Sequence, residues 1–230
     1  MRVRPIRPPR LAATACLLAA ALAAGPAGAR DQELDLSEPT IPIRSILSGG
    51  PPKDGIPALS SPRFVTADEA VFLDRDDLVV GIEDGGLAKA YPIKILNWHE
   101  VVNDRLGARA LAVTYCPLTG SAVVFDRLIG AEEVEFGVSG RLYLSNVLMY
   151  DRTSNGLWSQ LGAAAVSGRF SGTKLETMNS VVTGWAKWRE SHPATLVLST
   201  DTGHRRDYGN DPYKYYRSSD SLMFPIGKLD

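Results

Sequence analysis

Short runs rich in β-branched and aromatic residues recur along the chain, separated by turn-forming residues. Runs of this kind, bounded by Gly, Pro, Asn or Asp, are typical of β-strands. Their short and regular spacing favours strands that pair with their neighbours in an antiparallel sheet. The sequence therefore predicts an α+β fold, mainly antiparallel β-sheet with a few short helices. The predicted strands include residues 78–82, 88–91, 110–115, 120–125 and 134–138.

Three short helices are predicted from the residues at their N-terminal ends. Thr66 and Glu69 have the spacing of a capping box. Pro92 is favourable at a first helical position, and Thr183 is typical of an N-cap. The predicted helices lie at about residues 66–73, 93–103 and 184–192.

The N-terminal 29 residues have the pattern of a secretory signal peptide. Basic residues precede the apolar stretch 11–24, and small residues at Ala27 and Ala29 fit a cleavage site. The apolar stretch is shorter than the roughly 20 residues that a membrane-spanning helix needs. We therefore expect a periplasmic or secreted protein with no membrane insertion after cleavage.

Two further segments follow the signal peptide. Residues 30–62 are rich in proline and include Gly49-Gly50, and they are interpreted as an extended arm that wraps the domain or moves freely. Residues 63–230 are interpreted as a single domain. No long block of one charge sign occurs, and the whole chain has a net charge of −1, so nucleic-acid binding is not expected.

Cys116 is the first candidate for chemistry. The chain has two cysteines, and Cys16 lies inside the predicted signal peptide, so no intramolecular disulfide is expected in the mature protein. An unpaired cysteine in an oxidising compartment indicates an intermolecular bond, a metal ligand or a reactive thiol. The alternative is a buried structural cysteine that packs as a small apolar side chain.

His99 is the second candidate, because a histidine can act as a base or a metal ligand near neutral pH. Cysteine, histidine and methionine together favour soft ions such as Cu(I). Cys116, His99 and Met149 could form such a set, although no close ligand spacing joins them. The sequence contains no phosphate-binding P-loop, and Gly137–Gly140 differs from the serine-hydrolase elbow.

Several motifs resemble a bacterial family known as DUF3179, a domain of unknown function, over roughly residues 55–225. They include Val113-Thr-Tyr-Cys-Pro-Leu-Thr-Gly-Ser-Ala122, His99-Glu-Val-Val-Asn-Asp104 and the Asp211-Pro-Tyr213 segment. The resemblance implies a chemical role for Cys116, since some relatives are described as selenoproteins with selenocysteine at this position. Members often continue beyond the point at which this chain ends, with a second segment similar to residues 81–104.

These observations lead to one leading hypothesis and two alternatives. The leading hypothesis is thiol-dependent redox chemistry, with Cys116 as the nucleophile, His99 as its base or orienting partner, and an external thiol or small molecule as partner. Tyr115, Thr119 and Ser121 would line the site. The alternatives are a protein that binds or handles copper, and a non-enzymatic binding or scaffold domain in which Cys116 is buried.

Overall fold

Three five-stranded sheets organise the part of the chain that can be described. The computed structural model describes residues 33–221 and residue 224. The predicted signal peptide, residues 1–29, therefore lies outside the described residues. In chain order the strands are β1 (Leu47–Ser48), β2 (Leu59–Ser60), β3 (Phe64–Thr66), β4 (Leu78–Asp84), β5 (Leu87–Pro92), β6 (Val101–Leu106), β7 (Arg109–Cys116), β8 (Ser121–Asp126), β9 (Leu128–Ile129), β10 (Glu132–Glu133), β11 (Phe136–Tyr143), β12 (Asn146–Asp151), β13 (Leu157–Ser159), β14 (Ala164–Ala165), β15 (Thr177–Met178), β16 (Val181–Gly184) and β17 (Leu196–Leu198).

The first sheet has the strand order β16-β4-β5-β17-β3, the central sheet β15-β8-β7-β6-β2, and the third sheet β1-β11-β12-β13-β14. Strands β9 and β10 form a separate short ribbon. Within the described residues, two strand pairs are parallel, β5 with β17 and β2 with β6, and the other pairs are antiparallel. The prediction of an α+β, mainly antiparallel fold is confirmed.

The central sheet packs against a different apolar cluster on each of its faces. Successive side chains of a strand point to opposite faces. Leu111 and Val113 of β7 therefore lie on one face of the central sheet, and Ala112 lies on the other. Leu111 and Val113 join the cluster shared with Val80 of the first sheet. Ala112 joins the cluster shared with Trp158 of the third sheet. The central sheet is therefore buried between the other two.

Four short helical segments accompany the sheets. They are a 3-10 turn at Ile43–Ser45, α1 at Ile93–His99, α2 at Trp185–Ser191 and α3 at Lys214–Arg217. None of the helices found within residues 33–221 and 224 is both long and apolar enough to span a bilayer.

The helix predicted over residues 93–103 is wrong beyond His99. Glu100 adopts a φ of +58°, which ends α1, and Val101–Leu106 then pairs with β7 as strand β6. β-Branched residues fit a buried strand better than a helix.

The helix predicted over residues 66–73 is also wrong. Thr66 and Glu69 make the capping-box hydrogen bonds, but turns follow instead of a helix.

Helix α2 carries Trp185 and Trp188 as predicted, with Gly184 rather than Thr183 as its N-cap. Both tryptophans are buried against the first sheet.

On the other side of the molecule, the segment between residue 33 and residue 62 contacts the domain. Leu34, Ile41 and Ile46 pack on the outer face of the third sheet.

Candidate functional site

Cys116 lies at the C-terminal end of β7, where the chain turns into β8. Its side chain projects from the same face of the central sheet as Ala112, toward the third sheet. The thiol is 1% exposed. Its Sγ donates a hydrogen bond to the Ser145 carbonyl oxygen at 3.9 Å. The carbonyl oxygen accepts this bond from the S–H group.

Ser145 belongs to a strained turn. Leu144 and Ser145 connect β11 to β12, and their φ angles are +51° and +61°. This left-handed conformation is favoured in tight hairpins but is costly for residues other than Gly, Asn or Asp. Backbone strain of this kind persists only where surrounding contacts hold it, and it occurs frequently at functional sites.

A polar network anchored on the buried side chains of Asn146 and Gln160 fixes the turn that follows Cys116. Thr119 and Ser121 share a hydrogen bond at 2.7 Å, and Asn146 Nδ2 donates to Thr119 Oγ1 at 3.1 Å. Gln160 accepts from both Ser121 Oγ, at 2.9 Å, and Asn146, at 2.8 Å. The two predicted site residues Thr119 and Ser121 are thus brought close to Cys116, where their hydroxyls hold the turn in place.

Glu100 is the most unusual titratable residue near the thiol. It lies between α1 and β6 with its φ at +58°, and its backbone oxygen accepts a hydrogen bond from Tyr115 N at 2.8 Å. The side chain is only 7% exposed. Burial raises the pKa of the Glu100 carboxyl to about 7, and a hydrogen bond from Tyr213 partly opposes that rise. The carboxyl can therefore exchange a proton near neutral pH.

Tyr213 joins Glu100 to the surroundings of Cys116. Its hydroxyl donates to Glu100 Oε1 at 3.4 Å. Burial raises the pKa of Tyr213 well above its usual range, and negative charge on Glu100 or Cys116 raises it further. The Glu100 carboxyl and the Cys116 thiol are therefore both near enough to the Tyr213 hydroxyl to influence its pKa.

A small pocket of about 110 Å³ opens beside this group. Glu100, Leu118 and Tyr213 form one part of its wall, and the β11–β12 hairpin, the segment before β2 and Phe224 form the rest. The apolar side chains in the wall include Pro51, Ile56, Leu118, Val138, Leu142 and Val147. The buried carboxyl therefore faces a mainly apolar space.

Each of four consecutive residues at the end of α1 makes a hydrogen bond to the C-terminal segment. Asn97 Nδ2 donates to Asp211 Oδ1 at 3.0 Å, and Trp98 Nε1 donates to the Asn210 carbonyl at 3.2 Å. His99 and Glu100 follow, bonded to the hydroxyls of Tyr208 and Tyr213. We call residues 208–217 the C-terminal strap. Four consecutive residues before β6 are thus positioned by a segment more than a hundred residues away in the sequence.

The contacts of His99 define its tautomer. Nδ1 lies 2.7 Å from the Pro57 carbonyl, which can only accept, so Nδ1 carries the proton. Nε2, 2.7 Å from the Tyr208 hydroxyl, then accepts. Burial lowers the pKa of His99 to about 4, the Pro57 contact opposes this change, and His204 and Arg206 add to it. His99 is therefore neutral at pH 7, and both ring nitrogens are already bonded.

The other predicted site residues lie elsewhere. Tyr115 projects from the opposite face of β7 into the cluster shared with the first sheet. Met149 packs with Val138 and Trp158 between the central and third sheets. Within the described part of the chain, no group of three or more His, Cys, Asp or Glu side chains could hold a metal ion. The structure therefore does not bring Cys116, His99 and Met149 together through any contact described above.

Comparison with known proteins places the chain in a family. A family model described as a protein of unknown function, DUF3179, matches residues 53–230. The chain belongs to the DUF3179 family. No curated protein and no solved structure matches it. The suspected family is confirmed, and the match covers β2 to β17 together with the C-terminal strap.

Two residues of the site in this DUF3179 protein, Glu100 and Tyr213, were not predicted from the sequence. Glu100 is adjacent to His99, and adjacent residues do not share a helical face, so the local pattern does not pair the two side chains. Tyr213 lies in an aromatic segment without a regular pattern, so its local sequence does not single it out. Both residues lie inside stretches that carry the DUF3179 resemblance, His99-Glu-Val-Val-Asn-Asp104 and Asp211-Pro-Tyr213. The family resemblance of those two stretches was therefore the sequence signal that could have identified Glu100 and Tyr213.

Proposed function

We propose that this protein carries out thiol-dependent redox chemistry at Cys116, with Glu100 as the group that accepts and returns the proton. The observation that carries the proposal is the buried Glu100 carboxyl, with a pKa of about 7, placed at a pocket beside the end of β7. A base with a pKa close to the working pH is the efficient one. In this proposal Glu100 takes the role of base that was hypothesised for His99 from the sequence.

The thiolate is the nucleophilic form of cysteine, so a resting thiol bonded to the Ser145 carbonyl needs a base before it can react. Burial limits the oxidant to a small molecule, because a thiol that is 1% exposed cannot meet the disulfide of a folded protein. A hydroperoxide is an oxidant of suitable size. The thiolate attacks one peroxide oxygen, the O–O bond breaks, and the cysteine becomes a sulfenic acid while the peroxide leaves as an alcohol or water.

An external thiol completes the cycle. The chain offers no second cysteine after Cys16, so no internal thiol can resolve the sulfenic acid in a protein that lacks the signal peptide. One small thiol condenses with the sulfenic acid to give a mixed disulfide and water. A second thiol then displaces Cys116 and leaves as a disulfide with the first. Overall, one peroxide is reduced and two thiols are oxidised.

The copper hypothesis gains no support from the contacts of its proposed ligands. His99 would have to give up its bond to Tyr208 or Pro57, and Met149 would have to leave the apolar cluster that holds Trp158.

Peroxide consumption tests the proposal. Purified protein should consume hydrogen peroxide in the presence of dithiothreitol, and Cys116→Ser should abolish that consumption. Glu190→Gln is the control, because Glu190 is an exposed residue of α2 that makes no described contact with the site. Equal consumption by the wild type and Cys116→Ser would contradict the proposal, provided that both unfold at similar temperatures.

A further inference from the structure

Gln160 follows β13, and its fully buried amide reaches both segments that meet at Cys116. One segment is the turn from β7 to β8, which begins directly after the thiol. The other is the β11–β12 hairpin, whose Ser145 carbonyl oxygen accepts the bond from Sγ. Gln160 bonds to Ser121, the strand partner of Cys116, and to Asn146, which follows Ser145. One side chain therefore links the strand pair of the thiol to the hairpin that carries its hydrogen-bond acceptor.

The surroundings of the two amides fix which end of each one donates. The Ser121 carbonyl can only accept, so the Gln160 atom that lies 3.2 Å from it is Nε2. The Leu161 backbone N–H can only donate, so the Asn146 atom that lies 3.2 Å from it is Oδ1. Asn146 Nδ2 therefore donates to Gln160 Oε1, at 2.8 Å. Reversing either amide would bring two donors or two acceptors together.

The orientation of each hydroxyl follows from the orientation of the amides. Gln160 Oε1 can only accept, so Ser121 donates its O–H to it. Ser121 Oγ then accepts in its 2.7 Å contact with Thr119, whose hydroxyl donates. Gln160 Nε2 donates to Thr114 Oγ1 at 3.0 Å, and Thr114 donates to the Val123 carbonyl at 2.7 Å. The described contacts thus have one consistent arrangement of donors and acceptors, and Gln160 makes four of the bonds.

Burial makes this arrangement costly to disturb. Thr114 and Gln160 are 0% exposed, and Asn146 is 4% exposed. A buried polar group that loses its partner cannot turn to water instead, and leaving it unpaired is strongly unfavourable. The bonds of Gln160 therefore hold the turn and the hairpin at a fixed separation. The distance of 3.9 Å between Sγ and the Ser145 oxygen depends on that separation.

We propose that Gln160 is the positioning residue of the thiol site. Its bonds to Ser121 and Asn146 keep Cys116 aligned with the Ser145 carbonyl, so that the sulfur holds the single orientation in which it reacts. Gln160 makes no described contact with the sulfur, and it acts through the two segments that it joins. This role rests on the proposed function, because positioning affects the chemistry only if Cys116 reacts.

Gln160→Met tests this role, since methionine keeps the approximate length of the side chain but removes all four hydrogen bonds. Asn103→Leu is the matched control. Asn103 is also a buried amide, and its described side-chain bonds are to the backbone of Leu59 and Phe136, not to the turn after Cys116. A general loss of stability affects both variants, whereas a loss of thiol positioning affects only Gln160→Met.

Two measurements on the folded variants report the position of the thiol. The rate of Cys116 oxidation by hydrogen peroxide should fall by about 10- to 100-fold in Gln160→Met, because a misplacement of about 1 Å can cost about 100-fold. NMR couplings of the Cys116 side chain should show one χ1 rotamer in the wild type and in Asn103→Leu, and an average over rotamers in Gln160→Met. An amide with a purely structural role would not change that rotamer. Either an undiminished rate or the wild-type rotamer in folded Gln160→Met would overturn the inference.

Ser121→Ala keeps the inference testable if Gln160→Met does not fold. Ser121 is partly exposed, and the substitution removes its hydroxyl bond to Gln160 while the bond from Asn146 to the same amide remains. We expect a smaller fall in the oxidation rate and partial averaging of the Cys116 rotamer. An unchanged rate and rotamer in Ser121→Ala would then overturn the inference.

The wild type distinguishes failure of the positioning role from failure of the proposed function. If hydrogen peroxide does not oxidise Cys116 in the folded wild type, the proposed function is contradicted. If the wild type is oxidised and folded Gln160→Met is oxidised equally fast, only the positioning role is contradicted.

Discussion

The Tyr213 hydroxyl donates a hydrogen bond to Glu100 Oε1 across 3.4 Å, although 113 residues separate the two in sequence. This contact joins the C-terminal strap to the junction between α1 and β6. It also places a phenol and a carboxyl, both with pKa values raised by burial, at the pocket beside the thiol strand. The predictions below follow from that arrangement.

Replacing Glu100 with Gln removes the proposed base while keeping the shape of the side chain. The rate of Cys116 oxidation by hydrogen peroxide should fall by roughly 100-fold at neutral pH, which is the usual contribution of a general base. The wild-type rate should rise as the pH passes through about 7, the pKa of Glu100, and the variant should lack that step.

The measurement is the oxidation rate of Cys116 at a series of pH values on both sides of neutrality. Glu190→Gln is the control, because Glu190 is an exposed residue of α2 and should change neither the rate nor its pH profile. An identical pH step in Glu100→Gln would show that another group titrates.

Glu100 and His99 should have opposite effects on the pH dependence of stability. The pKa of Glu100 is raised from 4.5 to about 7, so its folded state favours the proton and stability falls as the pH rises through that interval. The pKa of His99 is lowered from 6.5 to about 4, so its contribution to stability is lost as the pH falls through that interval. Each effect amounts to about 3 kcal/mol, and the two largely cancel where they overlap.

Single variants should separate these effects. Relative to the wild type, Glu100→Gln should lose more stability on acidification from pH 6.5 to 4.5, because only the His99 effect remains. His99→Asn should lose less, because only the Glu100 effect remains. Urea unfolding at several pH values measures both differences. Parallel pH profiles for the wild type and both variants would contradict the assigned pKa shifts.

The C-terminal strap should restrict access to the thiol. Asp211 accepts hydrogen bonds from Asn97 Nδ2 and Tyr213 N, and its carboxylate also lies 3.3 Å from Arg217. Asp211→Ala removes these contacts, and we expect a loss of about 1–3 kcal/mol in the free energy of unfolding. Alkylation of Cys116 by iodoacetamide should become faster.

Asp207→Ala is the control for the strap, because Asp207 is exposed and its side chain bonds only locally, to Gly209 N, among the contacts described. The readouts are the alkylation rate and hydrogen exchange at the end of α1. If Asp211→Ala left both unchanged, the strap would not hold this end of the helix.

The strands were predictable because their signal is local. β-Branched runs predict the positions of strands β4, β7 and β8 to within a few residues. The Gly85-Gly86 pair likewise predicts the tight turn that follows β4. The end of α1 was not predictable in the same way, because Val101–Leu106 is a strand only through its pairing with β7. Pairing between distant segments outweighs local helix signals such as Pro92.

The site was predictable only in part, for a related reason. Cys116 is conspicuous in the sequence, and the hydroxyls of Thr119 and Ser121 lie close to it because they are on the same turn. Tyr115 lies on the other face, as the alternation of a strand implies. The importance of Glu100 depends on burial and on a tyrosine from the C-terminal strap, and no local pattern encodes either of these.

Trapping of sulfenic acid at Cys116 tests the central claim most directly. Folded and urea-unfolded protein are exposed to a low concentration of tert-butyl hydroperoxide with dimedone present, and the adduct at Cys116 is measured by mass spectrometry over time. We predict that the folded protein forms the adduct faster than the unfolded chain, because Glu100 and the pocket assist the reaction. Formation of the adduct only after unfolding would show that Cys116 is a buried structural thiol, and it would contradict the account.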